Sequence, residues 1–315
     1  MLLTVFIFIV SLLVIVVSSK WVVDNLHHLC KRLGWKEFVV AFFGASVGAV
    51  VPEFIIGVRA ALGGIPELAL GNIVGQNIIL FTMSVAICVF LLGEIVVESR
   101  TVRAGTTFAL ISVTLPFLLL WNGTLSRIDG VILILAFFVY IYWLFSERER
   151  FLKDYEITHQ HAHPLRYLAV IFLGFVLIVF SSEGILYAAQ EFAHLFNIPL
   201  IAIGLFGVGL GVALPETFFS VTIALKGHSW MILGGLMGAV AISSTLVLGT
   251  VAIIEPIVLD DFSFFRVARI FVVLSGALLL FFVRTHNKIT RREAIFLFCT
   301  YLAFVFFYIF DIYPF

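Results

Sequence analysis

The 315-residue sequence predicts an all-α, polytopic membrane protein of about ten transmembrane helices, arranged as two inverted five-helix repeats. Three observations predict it: an extreme apolar composition, the length and spacing of the apolar runs, and a repeat at a fixed offset. The chain is 62% hydrophobic and only 12% charged, with a mean hydropathy of +1.18. Soluble domains are about 45–50% apolar and about 25% charged. No soluble fold hides this much apolar surface, so lipid is the solvent.

A helix crossing the bilayer needs about 17–25 apolar residues. Runs of that kind cover 2–19, 37–62, 67–93, 102–121, 129–146, 167–194, 199–225, 229–254, 264–283 and 293–311. Turn-forming clusters such as Gly63-Gly64-Ile65-Pro66 and Trp121-Asn122-Gly123-Thr124 separate them. Met1–Val17 lacks the basic start of a secretory leader and reads as the first membrane helix. Lys and Arg set the orientation. With the N-terminus outside, only Arg59, Arg127, Arg266 and Arg269 of the 19 Lys and Arg fall outside. The expected location is the plasma (cytoplasmic) membrane of a prokaryote, with both termini outside.

The longest polar stretch follows the fifth run. It divides the chain into a first five-helix repeat (1–146), a cytoplasmic linker (147–165) and a second repeat (166–315). Five is odd, so the second repeat starts on the other side and the copies are inverted. A gap-free shift of 163 residues aligns them. Ser18 and Ser19 meet Ser181 and Ser182, Gly44 and Gly48 meet Gly207 and Gly211, and Pro52-Glu53 meets Pro215-Glu216. Gly64, Gly71 and Gly75 meet Gly227, Gly234 and Gly238. The matches are Gly, Pro, Ser and Glu, which chance pairing of abundant apolar residues does not produce.

The repeat places one carboxylate near the middle of a span in each half, each directly after a proline. The proline removes a backbone donor and displaces a carbonyl of the preceding turn. Nearby glycines let the helix bend and its neighbours approach. We therefore expect broken helices with free carbonyl oxygens beside Glu53 and Glu216 at mid-membrane depth. Irregular backbone there is tolerated only around an enclosed site. Carboxylate and carbonyl oxygens suit hard cations such as calcium or sodium. Two carboxylates in low dielectric need a cation between them or a proton on at least one.

These Gly-x-x-x-Pro-Glu segments, followed by Gly71-Asn72-Ile73-Val74-Gly75-Gln76-Asn77, resemble the α-repeats of the sodium/calcium exchanger family within the cation/calcium antiporter superfamily. The resemblance implies a secondary active antiporter that moves a cation, calcium first, by alternating access at a midplane site. Glu53 and Glu216 take the place of the family's central ion ligands, and Gln76, Asn77 and Ser243 join them as candidate metal ligands. Asn72 and Ser244 are more distant candidates. The sequence departs from the family at the hydroxyls that precede each Glu, replaced by Ala49, Val50, Val212 and Ala213. Leu80 and Ser243 replace further polar ligands, and the helix-8 motif is reduced to Gly238-Ala239-Val240. Fewer oxygens for sodium open the alternatives of proton or potassium coupling, or of a non-transporting membrane scaffold with the same fold.

The remaining signals narrow the class. There is no P-loop, G-x-S-x-G or H-E-x-x-H, so we expect no enzyme, no nucleotide and no cofactor beyond the transported calcium, sodium or protons. Zero net charge argues against nucleic acid. The partners are inorganic cations and the lipid bilayer. Cys30, Cys88 and Cys299 form no metal or disulfide pattern and read as packing residues. His159, His161 and His163 read as a solvated loop, and Glu183 as a residue near the external interface. The orientation has a direct check. With the three native cysteines removed, His161→Cys should react only with reagents that reach the cytoplasm. Labelling of intact cells by an impermeant reagent would overturn the assignment.

Overall fold

The computed structural model describes residues 1–32, 48–97, 100–146, 164–225, 229–259, 263–285 and 287–312. Helix α1 is Leu2–Arg32 and α2 is Gly48–Leu62. Helix α3 runs through Pro66–Ile79, a π-helical turn at Leu80–Ser84, and Val85–Leu92. Helices α4 (Arg100–Leu119), α5 (Arg127–Ser146) and α6 (Pro164–Phe196) follow. Helix α7 comprises Leu200–Ile203, a π-turn at Gly204–Val208, and Gly209–Leu225. Helix α8 comprises Ser229–Ile242, a π-turn at Ser243–Val247, and Leu248–Ile254. Helices α9 (Ser263–Thr285) and α10 (Arg291–Ile312) complete the chain. Among the described residues, 9 helices are long and apolar enough to span a membrane. The other helix, α2, is the second half of the run expected at 37–62. Residues 33–47, the histidines of the linker and Gly227 lie outside the described residues.

Three differences from the sequence reading have physical causes. Helix α1 does not stop at residue 19 but continues to Arg32. Hydropathy marks where the bilayer ends, whereas nothing between Ser18 and Arg32, neither Gly nor Pro, ends a helix. Helices α2 and α7 are not broken at their prolines. Pro52 and Pro215 sit inside continuous helix. The missing donor frees the carbonyl four residues earlier, at Gly48 and Gly211, while the rest of each helix continues. The irregular backbone lies instead in the π-turns, and those of α3 and α8 fall at the same 163-residue offset. Thr82 and Thr245, also counterparts, donate back to the carbonyls of Ile78 and Ala241 at 2.5 Å in both. The all-α reading also missed four short strands: β1 (Glu94–Val96), β2 (Thr124–Leu125), β3 (Ile257–Val258) and β4 (Lys288–Thr290).

Those strands tie the two halves together. Strand β1 pairs antiparallel with β4, and β2 with β3. Each pair joins loops that a ten-span chain puts on one side of the membrane, β2 and β3 on the side of the termini and β1 and β4 on the other. Helices α1 and α6, counterparts in the repeat, also run antiparallel. Gly184 lies against Ser11, and Gly174 against Val22 and the Ser18 carbonyl. Antiparallel counterparts within one bilayer are inverted copies. Helices α5 and α10 begin with matching caps, Ser126 sharing hydrogen bonds with Asp129 and Thr290 with Glu293.

Helices α3 and α8 are mostly buried and form the centre, while α1, α5 and α10 are largely exposed, which in a bilayer means exposed to lipid. Helix α3 lies backbone to backbone on α7. A methyl group on Gly71 would sit 2.2 Å from the Ile201 carbonyl oxygen, and one on Gly75 2.1 Å from that of Leu205. Glu183 pairs with Arg59, fastening α6 to α2. Gly71→Ala should lower stability by about 1–3 kcal/mol through overpacking. Thermal unfolding of this variant in detergent measures the loss, and an unchanged midpoint would show that α3 and α7 are not in this contact.

Candidate cation site

Glu53 of α2 and Glu216 of α7 are 0% and 4% exposed, the only acidic or basic side chains buried among the described residues. They lie within electrostatic reach of one another and beside the same Gln76. Gln76 comes from α3, held close by the glycine contact one residue earlier. Its Nε2 donates to Glu216 Oε2 at 2.8 Å. An ionised carboxylate only accepts, so the amide turns its nitrogen to Glu216 and leaves its own oxygen facing elsewhere.

Asn77, the next residue on α3, faces the π-turn of α8. Its Nδ2 donates to Ser244 Oγ at 2.8 Å, and Ser243 Oγ donates to Asn77 Oδ1 at 3.2 Å. Both serines begin the π-turn, where the widened backbone carries them side by side. About two turns further along α3, the Ser84 hydroxyl lies 2.6 Å from that of Thr217 on α7. Thr217 gives its proton to the Ala213 carbonyl at 2.8 Å, so Ser84 is the donor between them. Sequence reasoning missed this pair. Its signal was Thr217 directly after Glu216, where Phe54 follows Glu53.

The structure thus brings the five predicted site residues to one place, fed by α2, α3, α7 and α8, but not in one role. Asn77 and Ser243 spend their polar atoms on each other and on Ser244. Glu53 Oε1 and Oε2, Glu216 Oε1 and Gln76 Oε1 are buried with no hydrogen-bond partner among the described residues, as are both amide atoms of Asn72. Partnerless buried acceptors cost about 1–3 kcal/mol each, and more when charged. Four buried oxygens on two carboxylates and an amide, with no wholly buried Lys or Arg among the described residues, are groups that a positive charge would satisfy. The chemistry available is coordination of a hard cation or uptake of protons; no nucleophile–base pair is present among these groups.

Comparison with known proteins places this site in context. The sodium/calcium exchanger protein family matches residues 3–146 and 166–310. The inner membrane protein YrbG of Escherichia coli (strain K12) is 27% identical over 284 residues, covering 87% of this chain and 87% of its own. The fold matches the crystal structure of the H+/Ca2+ exchanger CAX with a TM-score of 0.76 at 16% identity, over 98% of this chain and 86% of that one. It matches the sodium-calcium exchanger NCX_Mj with a TM-score of 0.67 at 20% identity, over 96% and 97%. The chain is a multi-pass integral membrane protein and belongs to the sodium/calcium exchanger family of cation antiporters.

Proposed function

We propose that this antiporter moves one hard divalent cation, calcium, by alternating access at Glu53, Glu216 and Gln76, with protons rather than sodium as the competing ion. The observation that carries the reading is the set of four buried side-chain oxygens on these three residues that have no hydrogen-bond partner among the described residues. Oxygen ligands at a charged site are what calcium takes, completing its shell with carbonyls or waters. Two carboxylate charges balance one divalent ion without a further partner. A non-transporting scaffold would have no use for two unneutralised carboxylates in a lipid-embedded core.

The driving ion follows from what surrounds these oxygens. Val50, Val212 and Ala213 are buried and offer no side-chain oxygen. Leu80 is buried on α3 where its counterpart on α8 is Ser243. Asn77, Ser243, Ser244, Ser84 and Thr217 satisfy one another. Among the described residues, the Asn72 amide oxygen is the one free oxygen left on α3 beyond Gln76, too few for several additional, weakly held sodium ions. Protons need no such group, because they bind the same carboxylate oxygens that hold calcium. Calcium binding therefore requires deprotonated carboxylates and releases protons, so affinity falls as pH is lowered. Helices α1 and α6, packed along each other and more lightly against the rest, are the unit that moves over the core. Membrane orientation follows the basic residues, with the face of the termini outside.

Glu53→Gln and Glu216→Gln keep shape and lose charge. Each should weaken calcium binding roughly 100-fold, the factor for a charged contact of about 3 kcal/mol. Asn77→Ala should act differently, lowering stability by about 1–3 kcal/mol through the stranded serines while calcium affinity changes little. Calorimetry on purified protein separates the two effects, and a Glu variant with normal affinity would make that residue structural. Proteoliposome uptake of calcium should respond to a proton gradient more than to a sodium gradient. Sodium-driven uptake insensitive to pH between about 6 and 8 would sink the coupling assignment.

A further inference from the structure

A cleft of about 370 Å3 opens between α4 and α9, away from the cation site, lined by Leu110, Ala277, Leu280, Phe281, Arg284 and Thr285. On α9 the residues Ala277, Leu280, Phe281 and Arg284 fall at i, i+3, i+4 and i+7 and form one stripe. On α4 the residues Arg103, Thr107 and Leu110 do the same. The order along both stripes is apolar within the span and cationic at its end. Arg284 Nη2 donates to Thr107 Oγ1 at 3.1 Å, which closes the cleft at that end. Arg103 Nη1 donates to Asn287 Oδ1 at 2.5 Å.

Both arginines therefore meet uncharged partners in these bonds. The ion pairs Arg59–Glu183 and Lys288–Glu94 do not involve Arg103 or Arg284. A guanidinium has five donors, and one bond each leaves most of them for an anion. Phe281, at 61% exposure, carries the apolar wall outward to where acyl chains run. The two arginines lie on the membrane side opposite the termini, beside the β1–β4 pair. The basic residues assign that side to the cytoplasm, where anionic headgroups attract Arg and Lys.

We infer that this cleft is a binding site for an anionic glycerophospholipid. One acyl chain lies along Leu110, Ala277, Leu280 and Phe281, and the phosphate lies between Arg284 and Arg103. The wall offers no polar group within the span for a soluble metabolite, whereas a lipid matches both the apolar length and the charged end. Two cations in place of one cation–carboxylate pair select an anionic over a zwitterionic headgroup. The cleft is also not remote from the transport core. Gly276, next to Ala277 of the cleft wall, packs against Leu110 and against Phe81 in the π-turn of α3.

The test uses the full chain in a neutral detergent, titrated with phosphatidylglycerol, phosphatidylcholine or glycerol phosphate. Phosphatidylglycerol should raise the thermal midpoint by about 2–4 °C above the effect of phosphatidylcholine. Glycerol phosphate should not reproduce the shift. The double variant Arg103→Gln with Arg284→Gln should abolish the difference between the lipids. Equal shifts from both lipids, a full shift from glycerol phosphate, or an undiminished shift in the double variant would each overturn the inference. Native mass spectrometry of the single variant Arg284→Gln, scored for retained phosphatidylglycerol, decides the question independently of folding in the double variant. Retention equal to the parent chain counts against the site, and loss supports it.

Discussion

In a bilayer core, a polar atom that finds no partner inside the protein finds none at all, because no water competes for it. The centre of this protein is arranged around that constraint. Helices α3 and α8 each widen into a π-turn, and a threonine in each returns its hydroxyl to the backbone four residues earlier. Asn77, Ser243 and Ser244 close a circuit between the two helices, and Ser84 with Thr217 closes another between α3 and α7. What is left at this centre among the described residues is the oxygens of Glu53, one oxygen each of Glu216 and Gln76, and the amide of Asn72; Arg59 Nε near the end of α2 and Ser275 Oγ on α9 are also buried without a partner. The unsatisfied acceptors gather about the two carboxylates, where the proposed cation would satisfy them.

The scaffold around this site is symmetric and the chemistry on it is not. The backbone obeys the repeat closely, with matching π-turns, matching helix caps and paired strands that relate the two halves. Side chains at equivalent positions differ in kind. Gln76 and Asn77 on α3 correspond to Ala239 and Val240 on α8, and Ser243 and Ser244 on α8 correspond to Leu80 and Phe81 on α3. The polar groups on one central helix thus find their partners on the other rather than on a copy of themselves. Glu216 accepts the Gln76 amide at 2.8 Å, and Glu53 has no hydrogen-bond partner among the described residues, so two residues that the sequence presents as equivalents meet different neighbours. Such a division keeps the backbone symmetry of the inverted repeats while leaving few free side-chain oxygens among the described residues.

The glycines set the spacing on which this depends. A side chain at Gly71 would meet the Ile201 backbone, and one at Gly75 that of Leu205. Close approach at Gly71 and Gly75 brings Gln76 to Glu216. A side chain in that contact would push α3 away from α7 and carry the amide out of hydrogen-bond reach.

The sequence by itself determined the solvent, the class and the two carboxylates. Composition required lipid, run lengths required about ten spans, and Pro52-Glu53 with Pro215-Glu216 stood out because residues so costly in a membrane recurred at a fixed offset. These are properties of single residues and local runs, and they are readable without knowing which helix touches which. Tertiary structure alone decided which of the candidate ligands stay free. Gln76 meets Glu216 across 140 residues of chain, and Asn77 meets Ser244 across 167. Whether an amide binds an ion or a serine depends on helix separations fixed by glycine contacts, and on π-turns that shift a side chain by part of a turn. The same holds for the helices that continue through their prolines, since one lost hydrogen bond breaks a helix only when its surroundings do not hold it. Periodicity and composition average over such differences, and the site is made of them.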